Sequence, residues 1–409
     1  MAVGDDRIRG YYVFKAITSF ALWMPFWTLW AYINLDDFFL LTLVDVGFWT
    51  TMIVFQVPAG LLGDRYGRKT VLFVGEVFAS IGVLCFGLSH DVLGLFGANI
   101  IWAFGICFVV SGDTPFVYDT LIELGRAKEF IGVMARGYAV VAIANAVACV
   151  TGGVLIQWIF PGEVELTLIF AAVIALFGSL TILLLKEPKV PRTQLTSYVK
   201  HFRDGWKKVM STRAIVILIV FQIVVEIAIY IMAVFRSVYM NAEPPNGLDL
   251  NFFEIGVFIA AFATVGGIIG TQAGKIEARL GEKTSLLFLL LTVIGSFGVV
   301  FLVASPIAII VQFPIYIVSY LQQPIIGGYI NKRVDSTHRS TVMAIASLIF
   351  TAVLTAVELP SGWLAEELGM RATMAILAVS IAPVGLYLLL LWSREVDSSK
   401  KRTRTLRQF

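Results

Sequence analysis

The chain has 409 residues, of which 58% are hydrophobic and 14% are charged, and its formal net charge is +3. A soluble globular domain is about 45–50% apolar and about 25% charged. The composition therefore excludes a soluble domain and predicts a protein that lies in a lipid bilayer. The small net charge reflects where the basic residues lie along the chain and does not indicate binding to nucleic acid.

Twelve continuous apolar stretches of membrane-spanning length follow one another along the chain. A helix that crosses the hydrocarbon core needs roughly 20 apolar residues. Because the stretches are continuous and do not alternate with polar residues, transmembrane strands are excluded. We predict an all-α integral membrane protein. Its predicted spans are Tyr12–Ile33, Leu43–Gly63, Thr70–Ser89, Leu93–Tyr118, Ile131–Trp158, Leu166–Leu185, Ala214–Tyr239, Phe252–Lys275, Ser285–Ala304, Ile307–Tyr329, Thr341–Leu364 and Ala372–Trp392.

The connectors between these spans differ in charge. Lysine and arginine are retained on the cytoplasmic side of a membrane, and on the predicted outer side they occur only as Arg371. The N terminus carries Arg7 and Arg9 but runs into a full-length span without a cleavage site, so we predict no signal peptide. The pattern predicts an inner or plasma membrane protein with both termini in the cytoplasm.

The longest interior polar stretch divides the chain into two halves of six spans. We predict an N-terminal bundle at 1–185, a basic cytoplasmic connector at 186–213, a C-terminal bundle at 214–393 and a basic tail at 394–409. Halves of equal topology indicate an internal duplication. The clearest echo aligns the segment Gly60–Lys69 with the segment Gly274–Lys283, each after the second span of its half.

The first of these segments reads Gly60-Leu-Leu-Gly-Asp64-Arg65-Tyr-Gly67-Arg68-Lys69. It resembles the signature loop of the major facilitator superfamily, in which a glycine, three residues and Asp-Arg precede one residue and Gly-Arg-Arg/Lys. The resemblance implies two pseudo-symmetric six-helix bundles and transport by alternating access between them.

The loop also has a physical interpretation. Gly60 and Gly67 permit close backbone approach and a tight turn, while the helix macrodipole disfavours Asp64 at a helix C terminus. The resemblance implies that Asp64 caps the start of span eleven near 336–340, and that the neighbouring arginine pairs with an acid at the inner end of span four. A permanent structural clasp is the alternative to a gate. The implied inner gate comprises Gly60, Asp64, Arg65, Gly67, Arg68, Asp119 and Glu123.

Polar residues inside the spans are expensive in hydrocarbon and must face protein or a wet cavity. Glu226 lies near the middle of span seven, with Gln222 and Tyr230 one turn away on the same face. We predict a substrate or proton site there, with a buried structural acid as the alternative. Asp113 lies little more than one turn inside span four and is a second candidate.

Two other charged residues have simpler interpretations. We expect Glu76 to lie at the inner rim of span three. Lys15 in span one is expected to reach the headgroups by snorkelling. We predict that Gln312, Tyr316 and Gln323 of span ten line a cavity. The hydroxyl residues of span eleven are interpreted as contacts between helices.

Span one supplies several aromatic residues, of which Trp27 is predicted to stack on an organic substrate. At the predicted outer side, Arg236 near the end of span seven and Glu358 in span eleven lie at similar depths. We predict a salt bridge between them as an outer gate, with Asp36, Asp37 and Asp45 as rival partners of Arg236.

These features predict a secondary transporter for a small organic solute, with protons as the coupling ion and export favoured over uptake. An uptake permease or facilitator is the alternative. Two departures from the superfamily's proton/drug antiporters weigh against antiport: Ile101 stands where an arginine is usual, and Ala148-Cys149 replaces a Gly-Pro step.

An enzyme and a channel are remote alternatives. The three histidines, His90, His201 and His338, fall in loops, and no HExxH, GxSxG or Walker motif occurs in the spans. No selectivity filter is visible. The cysteines all lie inside predicted spans, which excludes a disulfide framework and a metal cluster. We expect no enzymatic activity, no cofactor, no metal and a monomer.

Overall fold

The computed structural model describes residues 3–189, 203, 206–207, 209–303, 308–334 and 339–406, without the side chains of 3–5, Asp64, 308–312, 340 and 397–406. The long secondary-structure elements of the described chain are all α-helices. Their bounds are α1 Val3–Thr18, α2 Trp27–Leu35, α3 Phe38–Tyr66, α4 Arg68–Leu88, α5 Val92–Glu123, α6 Phe130–Val154, α7 Glu165–Leu183, α8 Arg213–Asn241, α9 Phe252–Gly270, α10 Ala273–Leu302, α11 Ala308–Asn331, α12 Arg339–Leu368 and α13 Met370–Leu406.

Ten helices of the described chain are long and apolar enough to cross a membrane, namely α3 to α10, α12 and α13. Of the two other predicted spans, the tenth coincides with α11. The first is not one helix, because α1 ends at Thr18 and α2 begins at Trp27. Pro25 accounts for part of this break, since it has no N–H to donate to the preceding turn and its ring clashes there.

The predicted C-terminal tail also differs from the structure. We expected the last helix to end near Trp392, but α13 continues to Leu406. Arginine and lysine are good helix formers, so the basic segment extends the helix. The expected inner loop before span nine is likewise helical on both sides of Gly281, whose φ of 74° and ψ of 166° interrupt α10.

The chain divides into two compact units. Unit 1 comprises Met1–Leu195, Asp249–Thr264 and Thr355–Glu366. It therefore includes a piece of α9 and a piece of α12 from beyond the predicted connector. Its core contains Phe14 of α1, Leu72 of α4, Phe116 of α5 and Ile182 of α7. The seam between α4 and α5 has no room for a Cβ at Gly82 or Gly105, so the two backbones lie in close contact.

Unit 2 comprises Thr196–Leu248, Val265–Leu354 and Glu367–Phe409. Its most buried helix is α8, with Phe221, Val225, Ala228 and Phe235 all at most 1% exposed. Such burial on all sides explains why α8 is apolar almost throughout its length. The duplication of two six-helix halves stays a prediction.

Candidate functional site

A cavity of about 90 Å³ lies inside unit 1. Helices α1, α4, α5 and α7 and the break after α1 enclose it, and its walls include Trp23, Trp102, Glu76 and Ser80. The two indole rings meet edge to face, with their centroids 4.6 Å apart. Glu76 is 7% exposed, so its carboxyl group is a buried acid beside two aromatic walls.

An ion pair lies next to this cavity. The Lys15 ammonium is 3.2 Å from Asp113 Oδ2, and the Tyr11 hydroxyl donates to Asp113 Oδ1 at 2.9 Å. Lys15 and Thr18 are also the polar neighbours of Glu76. The cluster therefore has two carboxyl groups and one ammonium, and it bears a surplus negative charge when all three are ionised.

This cluster corrects two expectations from the sequence. Lys15 does not extend toward the headgroups, because Asp113 on α5 draws its ammonium into unit 1. Glu76 is not at the rim, because α4 buries it against α1 and α5. Both residues are charged groups in apolar spans, and that signal marks them as functional candidates.

A second cavity, of about 70 Å³, lies inside unit 2 between α8, α11 and α12. Its walls include Gln222, Glu226, Gln323, Met343 and Phe350. The Gln222 amide donates to Gln323 Oε1 at 2.7 Å and to Glu226 Oε2 at 3.4 Å. The structure thus brings together three of the residues that the sequence predicts for a substrate or coupling site.

Gln322 is an additional member that the sequence analysis missed. It is 5% exposed and hydrogen-bonds to Glu226. Within the described chain, the polar partners of Glu226 are amides and include no lysine or arginine. Glu226 lies about 20 Å from either end of α8 at the helical rise.

The other predicted lining residues lie apart from these two cavities. Tyr230 is one turn from Glu226 on α8, and Tyr316 contacts Arg236. Trp27 packs edge to face against Phe86 and Trp102 and is not part of the unit 1 cavity wall. The side chain of Gln312 lies outside the described residues.

Ion pairs collect at the end of unit 1 that is predicted to face the cytoplasm. Arg68 Nε lies 3.6 Å from Asp119 Oδ2. Glu123 pairs with Arg7 at 3.2 Å and with Lys186 at 3.4 Å. Of the other residues predicted for the inner gate, Arg65 lies over the Tyr66 ring, and the side chain of Asp64 is outside the described residues, as is most of the segment 336–340.

Glu187 organises the turn between α3 and α4. Its carboxylate accepts hydrogen bonds from the backbone N–H groups of Arg68 at 2.6 Å and Lys69 at 2.9 Å, and so caps the N terminus of α4. Gly67 has a φ of 103°, and a Cβ there would lie 2.7 Å from Glu187 Oε1. Gly281, its counterpart in the sequence echo, also has a positive φ, but apart from its own helix no atom of the described residues lies within 4 Å of its Cβ position.

The two residues predicted for the outer gate lie in different units. In unit 2, the Arg236 guanidinium lies 4.8 Å from the centroid of the Tyr316 ring. In unit 1, Glu358 is 1% exposed and lies beside Asp45. Their mutual salt bridge stays a prediction.

A bundle of membrane-length helices with a buried acid in a cavity of each unit defines a class of protein, the polytopic transporter. The family is equally clear. The chain belongs to the Major Facilitator Superfamily, whose model matches residues 12–357. It is therefore a multi-pass membrane protein and a secondary transporter of small molecules, and it is not an enzyme.

Curated relatives agree with this assignment. Multidrug resistance protein 1 of Bacillus subtilis is 27% identical over 299 residues, which is 69% of each chain. The uncharacterized MFS-type transporter YxaM of Bacillus subtilis is 22% identical over 92% of this chain and 94% of its own. The chromaffin granule amine transporter of Rattus norvegicus is 33% identical over 25% of this chain and 20% of its own.

Solved structures share the fold. The nucleoside transporter NupG superposes with a TM-score of 0.75 at 13% identity, over 94% of this chain and 99% of its own. A bacterial homolog of the human lysosomal transporter Spinster, in an inward-facing and occupied conformation, gives a TM-score of 0.76 at 14% identity, over 95% of this chain and 96% of its own.

Proposed function

We propose that this protein is a monomer that exports a small organic cation across the plasma membrane in exchange for protons, with both termini in the cytoplasm. The observation that carries the proposal is that each unit contains a cavity lined by a glutamate and at least one aromatic side chain, Trp23 and Trp102 in unit 1 and Phe350 in unit 2. A glutamate supplies the charge that attracts a cation, and an aromatic face adds cation–π attraction.

Glu226 is the residue that we assign to coupling, a different position from the span-four arginine of the superfamily's proton/drug antiporters, where this chain has Ile101. A carboxyl group surrounded by amides is stable in both protonation states, because an amide donates to the ionised form and accepts from the protonated form. No cation of the described chain holds Glu226 in its charged state. It is therefore suited to bind a proton and a substrate cation alternately.

The cavity of unit 1 supports the substrate class. Trp23 and Trp102 provide two indole rings, and the cluster of Glu76, Asp113 and Lys15 contains one carboxyl group more than it has ammonium groups. The names of the relatives agree with this chemistry, since they include multidrug resistance proteins and an amine transporter. Export is favoured over uptake for the same reason.

The ion pairs around α4 and α5 support the inner gate. Arg68 and Asp119 are about four-fifths buried, and each has a partner of opposite charge. An ion pair of this kind holds helices together in one state and separates in another. We assign to this cluster, together with Gly60, Asp64 and Arg65, the closure of the cytoplasmic side. Arg236 and Glu358 remain the proposed outer gate, with their salt bridge formed in another conformational state, because no cation of the described chain acts on Glu358 here.

The test uses purified protein in liposomes, with tetraethylammonium, an organic cation that does not cross the bilayer unaided, as the probe. An acidic lumen should drive accumulation of the probe, and Glu226→Gln should reduce that accumulation at least tenfold. Glu243→Gln, an exposed glutamate just after α8, is the matched control and should behave like wild type.

Three results would contradict the proposal. Equal accumulation by wild type and Glu226→Gln would exclude Glu226 from coupling. Equilibration of the probe that ignores the pH gradient would identify a facilitator. Accumulation of the probe in the lumen that requires an acidic external medium would identify an uptake permease.

A further inference from the structure

Two carboxyl groups face each other inside unit 1, away from both cavities. Asp45 lies on α3 and is 2% exposed, and Glu358 lies on α12 and is 1% exposed. Both Glu358 oxygens are buried and accept no hydrogen bond from a donor of the described chain. The carboxyl group of Asp45 lies within hydrogen-bonding reach of Glu358.

The surrounding contacts leave little room between the two helices. A Cβ at Gly362, one turn beyond Glu358, would lie 2.7 Å from the carbonyl oxygen of Phe38 and would collide with Thr42. The Glu366 carboxylate accepts a hydrogen bond from the Phe38 N–H at 2.8 Å. The segment 355–366 of α12 therefore packs directly on the first turns of α3.

The other groups at this contact do not neutralise Glu358. Near this contact the titratable groups are Asp45 on α3 and its N-cap Asp37, and Glu358 and Glu366 on α12. Tyr32 lies close to Glu366 and to Asp36, and none of these groups is a cation. From α5 the polar group is the neutral amide of Asn99, which donates to the carbonyl of Val44 at 2.9 Å. No cation of the described chain acts on Glu358.

Two ionised carboxylates cannot share such a site, because like charges repel strongly where water is excluded. A hydrogen bond between two carboxyl groups requires that one of them carries a proton. We propose that Asp45 and Glu358 form a proton-binding site, and that the bound proton holds the segment 355–366 of α12 against α3. Loss of the proton leaves two adjacent negative charges, which drive the two helices apart.

This inference deepens the proposed function and rests on it, because a proton that closes one contact and leaves when it opens is a means of coupling. The site is distinct from Glu226, which lies in unit 2. A transporter with both sites would bind protons at the substrate cavity and at the contact between α3 and α12.

The first test detects the proton itself. Infrared spectroscopy of the purified protein distinguishes a carboxylic acid from a carboxylate by its C=O stretch. After subtraction of any band that Glu226→Gln removes, wild type should show an acid band at neutral pH that Glu358→Gln removes. Glu366→Gln, an exposed glutamate two turns along the same helix, should leave that band in place.

The second test follows the contact between the helices. Spin labels at Phe39 on α3 and Trp363 on α12, both exposed, report the distance between them in a variant with alanine at all three cysteine positions. The distance should lengthen in wild type as the pH rises past the loss of the acid band. In Glu358→Gln it should stay short at every pH. Asp45→Asn should behave in the same way, and it replaces Glu358→Gln if that variant does not fold.

An acid band that survives in both Glu358→Gln and Asp45→Asn would overturn the inference, and so would a wild-type distance that ignores pH. These measurements need no transport substrate. If the band and the distance behave as expected while transport proves independent of protons, the proposed function fails and the proton site stands.

Discussion

The two cavities each contain a buried glutamate, but they balance its charge differently. In unit 1, Glu76 and Asp113 share the ammonium of Lys15, which is fixed 3.2 Å from Asp113. In unit 2, Glu226 has only amide partners in the described chain. An adjacent ammonium keeps a carboxylate ionised, whereas amides permit both protonation states. The comparison indicates that the buried glutamate of unit 1 shares a cation with a second carboxyl group, whereas that of unit 2 has only amide partners in the described chain.

The largest expected effect comes from removing the cation of unit 1. Lys15→Met leaves two carboxylates without their ammonium and should lower the free energy of unfolding by about 3–5 kcal/mol. Glu226→Gln should change it by at most about 1 kcal/mol, because a glutamine exchanges hydrogen bonds with the same amides. Denaturant unfolding in detergent micelles measures both.

The double variant Lys15→Met/Asp113→Asn should recover part of the loss, because only one carboxyl group, that of Glu76, is then left without a cation. Equal losses for Lys15→Met and Glu226→Gln would remove the distinction between the two cavities.

The turns at Gly67 and Gly281, which are equivalent positions in the internal sequence repeat, provide the next comparison. Gly67→Ala and Gly281→Ala should both strain the backbone by about 1–2 kcal/mol, because each residue has a positive φ. Gly67→Ala should lower stability further, since its Cβ would displace the carboxylate that caps α4. Thermal unfolding of the two variants side by side measures the difference. A larger loss for Gly281→Ala would contradict the role given to Glu187.

The aromatic side chains that line the cavities should contribute less free energy to the binding of a cation than the charged groups contribute to stability. Trp102→Leu and Phe350→Leu each remove one aromatic face, and a cation–π contact contributes about 0.5–2 kcal/mol. Binding of tetraethylammonium should therefore weaken about 2- to 30-fold, more for Trp102 because indole is the better cation–π partner. Calorimetric titration measures the Kd, with Trp102→Phe as the conservative control. Unchanged affinity in Trp102→Leu would exclude unit 1 from substrate binding.

The smallest effect is expected at the cap of α4. Glu187→Gln keeps one acceptor for the N–H groups of Arg68 and Lys69 but loses the negative charge, so stability should fall by about 0.5–1 kcal/mol. Lys186→Gln, one residue away, is the matched control. If the two variants are equally stable in unfolding experiments, the charge of Glu187 does not contribute to the cap.

The sequence by itself determined the helical membrane fold, because a span needs about 20 apolar residues and the chain repeats that pattern twelve times. It also identified the family through the loop from Gly60 to Lys69, and Glu226 and Gln222 through their helical spacing on one face of α8. Local patterns of this kind depend on residues that are close along the chain, and a single sequence contains them completely.

Only the tertiary structure decided which charges meet. Lys15 and Asp113 are 98 residues apart, and nothing in either helix indicates the partner in the other. The sequence predicts Glu358, or alternatively Asp45, as the partner of Arg236. In the structure, the packing of α12 on α3 brings the carboxyl groups of Asp45 and Glu358 together. Pairing between distant helices depends on rotation and depth within a bundle, and an apolar helix surface specifies neither by its sequence alone.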